Sequence, residues 1–316
     1  MTFTAGSHDI GNALGVALEM AGSLLEGNGG KLICLQSSLP NIMPGKLTSR
    51  LKAEHVGTDR EREFYKPETA FYELQAERLA KKKIGVDFFV FAQTYVDLAT
   101  TVPLCNITGG QLFYFPRFNM HRDRLKFHHE LYRVLTRTTG YDGVMLTRVS
   151  TGLAVTSQTG NFMLMYGTDM ETANIDCDKT FVVHLRNEGK IPDNSTVGVQ
   201  CALLYTTSKG QRRIRVHSLR LNTSGVMANV FLGSDLETVT YLITDRTIRA
   251  AEKTAIMDLR RKALDEVIQM VYAFRCHCST KAFNPSILVI PENLKLLPLY
   301  IVCLMKSVLL KNGRVR

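Results

Sequence analysis

The sequence predicts a multidomain protein of mixed α and β structure: a parallel α/β layer, then an antiparallel β-sandwich or barrel, then an all-α helical domain. Three successive regimes of hydrophobic period carry that prediction. Helix and strand patterns alternate over residues 1–140, the period drops to two from Tyr141, and it returns to the helical value after Gly233. The expected divisions are therefore 1–140, 141–235 and 236–316.

In the first part, Asn12 to Leu25 is apolar at helical spacing and stops at Gly27, Asn28, Gly29 and Gly30, after which Leu32 to Leu35 reads as a short buried strand. Pro67 is expected to open a second helix through FYELQAERLAKKK, whose three closing lysines complement the helix dipole. IGVDFFVFAQ is a near-continuous apolar strand. A short helix around Val96 to Cys105, a turn at Gly109 and Gly110, the strand QLFYF and a helix from Asp123 to Arg137 complete the pattern. Alternating βα units imply a parallel, doubly wound sheet. Three strands are fewer than such a sheet usually has and leave an edge that needs covering, so the sequence is expected to begin partway through a domain.

From Tyr141 the period changes to two, and six runs are strand-like: GVMLTRV, GLAVTS, NFMLMY, TFVVHLR, VGVQCALLYTT and RRIRVHSL. Turn signals at Ser157 to Asn161, Glu188, Gly189 and Ser208 to Gly210 separate several of them. Short strands at that density argue for an antiparallel sandwich or barrel. In the last part, Ile256, Leu259, Ala263, Val267, Met270 and Phe274 fall on one helical stripe. The most apolar stretch, SILVIPENLKLLPLYIVCLMKSVLL, is interrupted by Pro291, Glu292, Lys295, Pro298 and Lys306. It lacks the run of about 18 uncharged apolar residues that a membrane span needs, and reads as a strand or turn followed by a buried helix.

Composition narrows the function classes. The chain has 316 residues, 45% hydrophobic and 22% charged, which excludes disorder, collagen and coiled coil. Its seven cysteines are scattered without repeated CxxC spacing and suit free thiols in a reducing compartment. The N-terminus has no cationic region ahead of an apolar core, so a secretory signal is not expected. The net charge of +10 is uneven: 17 basic and 14 acidic side chains in residues 1–140, 9 and 8 in 141–235, 13 and 7 in 236–316. The excess in the last part favours an acidic partner such as nucleic acid or anionic lipid without choosing between them.

Catalytic signatures are missing. No GxSxG elbow occurs, and no Cys, His and acid share a local signature. Adjacent ligands in the run Cys276, His277, Cys278 cannot fill a tetrahedral zinc shell, and His121, His128 and His129 read as a solvated helix face. GNGGK lacks Walker spacing and sits after a helix and before a strand, the reverse of a phosphate-binding order. What stands out is the hairpin VQCALLYTTSKGQRRIRVHSL. Alternation puts Arg213, Arg215 and His217 on one face and Arg212, Ile214 and Val216 on the other. Neighbouring arginines on an open face make a fork for a carboxylate or phosphate, unless they are solvated residues with cross-strand acidic partners. Gln211 to Leu221 contains no base-stacking aromatic residue, so nucleic acid is not an expected partner.

That hairpin also carries a family resemblance. GQRRIRVHSL, with ALLYTTSKG before it and NVFLGSDL after it, resembles the β-sandwich hairpin of the large inner-coat subunits of coat protein complex II. GNALGVALEMAGSLL, GGKLICLQSSLP, TDREREFYK, VDFFVFAQTYVDLAT, TGGQLFYFPRF and YRVLTRTTGYDGVMLTRVSTGLAVTSQTGNFML are similar, in order, to the cargo-adaptor subunit, the Sec twenty-four family. The sister subunit, the GTPase-activating Sec twenty-three family, shares the hairpin, but its pattern places a tryptophan soon afterwards and this chain has none.

The resemblance implies a partial von Willebrand A-like α/β trunk, an antiparallel β-sandwich and a helical domain in a non-enzymatic coat subunit. It implies a cytoplasmic protein, peripheral on endoplasmic reticulum membrane and vesicles. Its expected partners are the sister subunit through the trunk, cytosolic tails of membrane cargo and SNAREs, and an anionic membrane surface. The family's four-cysteine zinc finger and gelsolin-like domain have no counterpart in these residues, so no cofactor is expected in this chain. The DxSxS metal motif of adhesion-type von Willebrand A proteins is missing as well. One cargo pocket of the family reads acidic signals with two strand arginines and a hairpin leucine. These positions fall on Leu146, Arg148 and Leu204, with Leu146 in place of the first arginine. That departure removes one charge-assisted hydrogen bond, worth about 1.5–3 kcal/mol, and shifts the expected signal towards apolar residues.

Overall fold

In a computed structural model of the chain, residues 11–52, 54–55, 58–165, 167–278 and 289–307 are described. They pack as two units. One takes residues up to 51, 67–190 and 197–221; the other takes 52–66, 191–196 and those from 222 onward.

The first unit begins with helix α1 (Leu14–Leu24), strand β1 (Gly30–Gln36), α2 (Phe71–Lys81) and β2 (Ile84–Val90). The short α3 (Leu98–Thr101) and α4 (Pro103–Thr108), β3 (Leu112–Tyr114) and α5 (Met120–Thr136) follow. The three strands are parallel in the order β1-β2-β3. β2 is buried at every position, as its unbroken apolar run requires. Val86, Phe88 and Val90 pack with Leu14, Leu18, Leu79 and Leu104 on one face, while Phe89 meets Phe113, Phe115 and Val134 on the other.

Two helix starts differ from the pattern. α2 begins at Phe71, not Pro67, because residues before it are held by tertiary bonds: the Glu68 N–H donates to Thr100 Oγ1 at 2.8 Å, and its carboxylate accepts from Thr48 Oγ1 at 2.6 Å. α5 begins before Asp123. Asn119 caps it by accepting from the His121 N–H at 2.9 Å, and Asp123 accepts the Asn119 N–H in return at 2.9 Å.

Next come β4 (Thr139–Val149), β5 (Leu153–Thr159), β6 (Met163–Met165), β7 (Asp169–Asp176), β8 (Val182–Asn187), β9 (Thr196–Thr207) and β10 (Arg212–Asn222). They form a five-stranded sheet, β10-β9-β4-β7-β6, and a separate β5-β8 pair, with antiparallel pairing throughout β4–β7, β4–β9, β5–β8 and β6–β7. Two sheets rather than a closed ring make this a sandwich.

β7 is the strand that the period-two pattern leaves out. Its sequence, DMETANID, hides Thr172 and Asn174 at 5% and 1% exposure. These polar residues face glycine backbone: a Cβ on Gly85 would lie 1.7 Å from Asn174 Oδ1, and one on Gly109 would lie 1.8 Å from Thr172 Oγ1. A buried ion cluster reinforces the junction. Asp87 on β2 lies 2.5 Å from Lys31 Nζ and 3.7 Å from Arg137, whose guanidinium reaches Asp176 at 2.9 Å and Asp178 at 3.2 Å. Lys179 Nζ donates to the Gly110 carbonyl at 3.1 Å.

The second unit contains α6 (Met227–Leu232), α7 (Leu236–Arg249), α8 (Ile256–Cys278) and α9 (Leu297–Lys306). Leu259, Ala263 and Val267 on α8 are buried, and Ala263 and Val267 join Ile243, Leu294, Leu297 and Ile301 in one core. Phe274 meets Phe231 edge-on at 5.1 Å, completing the predicted stripe. The LPLYIVCLMK segment is helical, although Leu299 and Tyr300 remain exposed; residues 286–288 of the run before it lie outside the described residues. Among the described residues, no helix is long and apolar enough to cross a membrane. None of the seven cysteines is in a disulfide.

Candidate functional site

Leu146 and Arg148 are two apart on β4 and so share a face. The β4–β9 register pairs Val144 with Leu204, Leu146 with Ala202 and Arg148 with Gln200. Directly opposed residues point the same way, which puts Leu204 on that face too, diagonal to Leu146. All three residues named in the sequence therefore come together. Leu146 and Leu204 are half-buried, whereas Arg148 is exposed and makes no hydrogen bond or ion pair among the described residues.

The outer strand extends this face. Side-chain bonds from Arg212 Nη1 to Thr206 Oγ1 at 2.9 Å and from Gln200 Nε2 to Ser218 Oγ at 3.2 Å align β10 with β9, placing Ile214 beside Leu204 and Val216 beside Ala202. Both apolar residues are exposed, as is every residue of β10.

Arg213 and Arg215 lie on the other side. By alternation they point away from the face of Leu146, Arg148 and Leu204, so the two candidate groups form separate surfaces. Arg213 Nη2 donates to Gln211 Oε1 at 2.6 Å, and Arg215 has no partner among the described residues. The acidic cross-strand partner in this region is Asp142, and it belongs to Arg212: Nη1 donates to Asp142 Oδ2 at 2.7 Å and to the Asp142 carbonyl at 2.8 Å.

Asp142 marks a feature that the sequence did not reveal. The β4–β9 register slips between Tyr141 and Val144, and Asp142 takes φ 49° there. Its carboxylate also lies 3.2 Å from Lys83 Nζ, which donates to Glu171 at 3.0 Å. Burial works to lower the Lys83 ammonium, but the bonds to Glu171 and Asp142 outweigh it and push it up. Beside this cluster opens a cleft of about 820 Å³ between the Gly27–Gly30 turn, Lys81–Lys83 and the Ser208–Gly210 hairpin tip. A glycine-rich turn and a lysine triplet at helix ends were its only signals in the sequence.

Elsewhere two shifted groups owe their shifts to packing and ion pairing. The bond from Arg133 above all, with Arg137 adding to it, holds the Asp178 carboxyl down at about 2 against the opposing effect of burial. Burial, with Asp87 nearby, pushes the Cys34 thiol up to about 11. His121, His128 and His129 are exposed on α5, and Cys276 to Cys278 close α8. Among the described residues, no group of three or more His, Cys, Asp or Glu is placed to hold a metal ion.

Family models match in sequence along the chain: the Sec23/Sec24 trunk domain over residues 2–135, the Sec23/Sec24 beta-sandwich domain over 140–224 and the Sec23/Sec24 helical domain over 235–316. The chain belongs to the Sec23/Sec24 family. Several of its most similar relatives are Sec24 proteins. Human protein transport protein Sec24D is 33% identical over 282 residues, 89% of this chain and 27% of its own length. Dictyostelium discoideum SEC24 is 34% identical over 312 residues, 95% of this chain and 31% of its own. The crystal structure of the human COPII-coat protein Sec24c superposes with a TM-score of 0.91 at 30% identity, covering 99% of this chain and 41% of that one. The chain thus spans about 27–31% of the length of those two curated relatives.

Proposed function

We propose that this chain is the signal-reading part of a COPII coat subunit, which gathers membrane cargo for transport from the endoplasmic reticulum to the Golgi. The kinship with Sec24 proteins supports the coat role. The observation that carries the signal-reading role is the convergence on one sheet face of Leu146, Leu204 and an exposed Arg148 with no partner among the described residues.

The mechanism is equilibrium binding, with no bond made or broken and no cofactor required. A cytosolic tail of a cargo protein or SNARE lies across the sheet, a carboxylate accepts from the Arg148 guanidinium, and an apolar side chain covers Leu146 and Leu204. Charge-assisted hydrogen bonds of this kind contribute about 1.5–3 kcal/mol each. With Leu146 supplying contact area instead of a second guanidinium, the preferred signal joins one carboxylate to an apolar neighbour. The protein works in the cytoplasm, peripheral to the membrane. Its other partners are the sister Sec23-type subunit, through the α/β trunk, and anionic lipid.

Binding of acidic, apolar tail peptides to Arg148→Glu protein tests the reading. Because Arg148 has no partner to lose among the described residues, the variant should keep the wild-type thermal midpoint while affinity falls at least tenfold. Unchanged affinity overturns the proposal.

A further inference from the structure

The face that carries Arg148 continues past Leu204. Rows of directly opposed residues run along it: Ser218, Gln200 and Arg148; then Val216, Ala202 and Leu146; then Ile214, Leu204 and Val144. Arg212 and Thr206 follow at the hairpin end, beside Asp142. The chemistry changes along these rows. At one end stand Arg148 and, by alternation on β10, Arg220, both exposed and without partners among the described residues. The middle rows are apolar, with Ile214 and Val216 at 70% and 52% exposure. At the other end Thr206 and Asp142, both bonded by Arg212, line the cleft together with Lys81, Lys82, Lys83, Ser208 and Gly210.

That second cationic end has charge to spare. Lys82 is paired with Glu26 at 2.9 Å, Lys83 with Asp142 and Glu171, and Arg212 with Asp142. Lys81 and Lys209 are exposed and have no partner among the described residues. From Arg148 to Asp142 is six residues of strand, about 20 Å at roughly 3.3 Å each, a distance that six or seven residues of extended peptide cover.

We infer that this face and the cleft lined by Lys81, with the exposed Lys209 between its lining residues Ser208 and Gly210, form one continuous track for an extended peptide with an acidic residue near each end and apolar residues between. The inference rests on the proposed peptide-binding role and adds a second anchor, remote from Arg148. An apolar-only peptide leaves both cationic ends solvated, whereas a peptide with one acid fills only one. Spacing between the two acids, rather than adjacency, is what the track selects.

Fluorescence anisotropy with the whole chain tests it, using labelled, end-blocked Glu-Thr-Leu-Thr-Leu-Thr-Glu and two versions in which one or the other Glu is replaced by Gln. The doubly acidic peptide should bind about fivefold more tightly than either version, the scale of one exposed charge pair. Lys81→Glu with Lys209→Glu should remove that advantage without shifting the thermal midpoint. If this double variant binds the doubly acidic peptide as tightly as wild type while Arg148→Glu weakens it, the track is overturned and the Arg148 site stands. If wild-type protein binds none of the three peptides, both fall.

Discussion

Arg137 shows how much one residue organises. At 3% side-chain exposure it closes α5, reaches Asp87 on β2 and meets both Asp176 at the end of β7 and Asp178 just after it. A buried guanidinium is tolerable only with its charge compensated, so these carboxylates are a condition of the fold and not decoration. Asp178 is the more exposed member and provides a titration handle. Its folded-state value, held near 2 first by Arg133, lies below the roughly 3.9 of an unfolded aspartate. The stability it contributes is therefore fully present above about pH 4 and is lost as the pH falls through the folded value. Asp178→Asn should lower the thermal midpoint at pH 7, and the gap from wild type should close as the pH approaches 2. A gap that stays constant over that range would show that the carboxylate charge is irrelevant.

Among the elements, β7 separates what pattern can and cannot reveal. The helical stripe of α8 and the unbroken apolar run of β2 were legible because each buries hydrocarbon against hydrocarbon. β7 buries Thr172 and Asn174 against the bare backbone of Gly85 and Gly109, so polarity stands where an apolar period was sought. The candidate site divides the same way. Leu146 and Arg148 share a face by simple alternation, but the position of Leu204 diagonal to Leu146 depends on the β4–β9 register. The Arg212–Asp142 bond joins residues 70 apart across a slip in that register, which no local spacing announces. The β7 account makes a sharp prediction. Gly85→Ala should destabilise by about 1–3 kcal/mol through overpacking against Asn174. The Asn174 amide has no hydrogen-bond partner among the described residues, so Asn174→Ala removes the obstruction cheaply. In urea unfolding, the double variant should recover most of the loss. Simple additivity of the two changes would mean that the close approach is not the cause.

At the level of the whole molecule, the charge is distributed by role. Residues 141–235, with 9 basic and 8 acidic side chains, are nearly neutral, so the proposed peptide recognition rests on a few placed cations such as Arg148 and Lys209. Residues 236–316 carry 13 basic and 7 acidic side chains. Several of the basic groups there are already paired, Arg246 with Glu266, Arg249 with Asp245 and Lys295 with Glu292. Arg261 and Lys262 are exposed on α8 beside the buried Leu259 and Ala263, and have no partners among the described residues. Each such cation contributes on the order of 1 kcal/mol near an anionic bilayer, within a Debye length of about 8 Å at physiological salt. The chain should therefore float with phosphatidylserine-containing vesicles and not with neutral ones, and added salt should release it. Arg261→Glu with Lys262→Glu should reduce the floated fraction several-fold at physiological salt, while peptide binding at the Arg148 face stays as in wild type. Flotation that ignores salt, lipid charge and this double variant would remove electrostatics as the basis of membrane association and leave peptide recognition as the sole work of the basic residues.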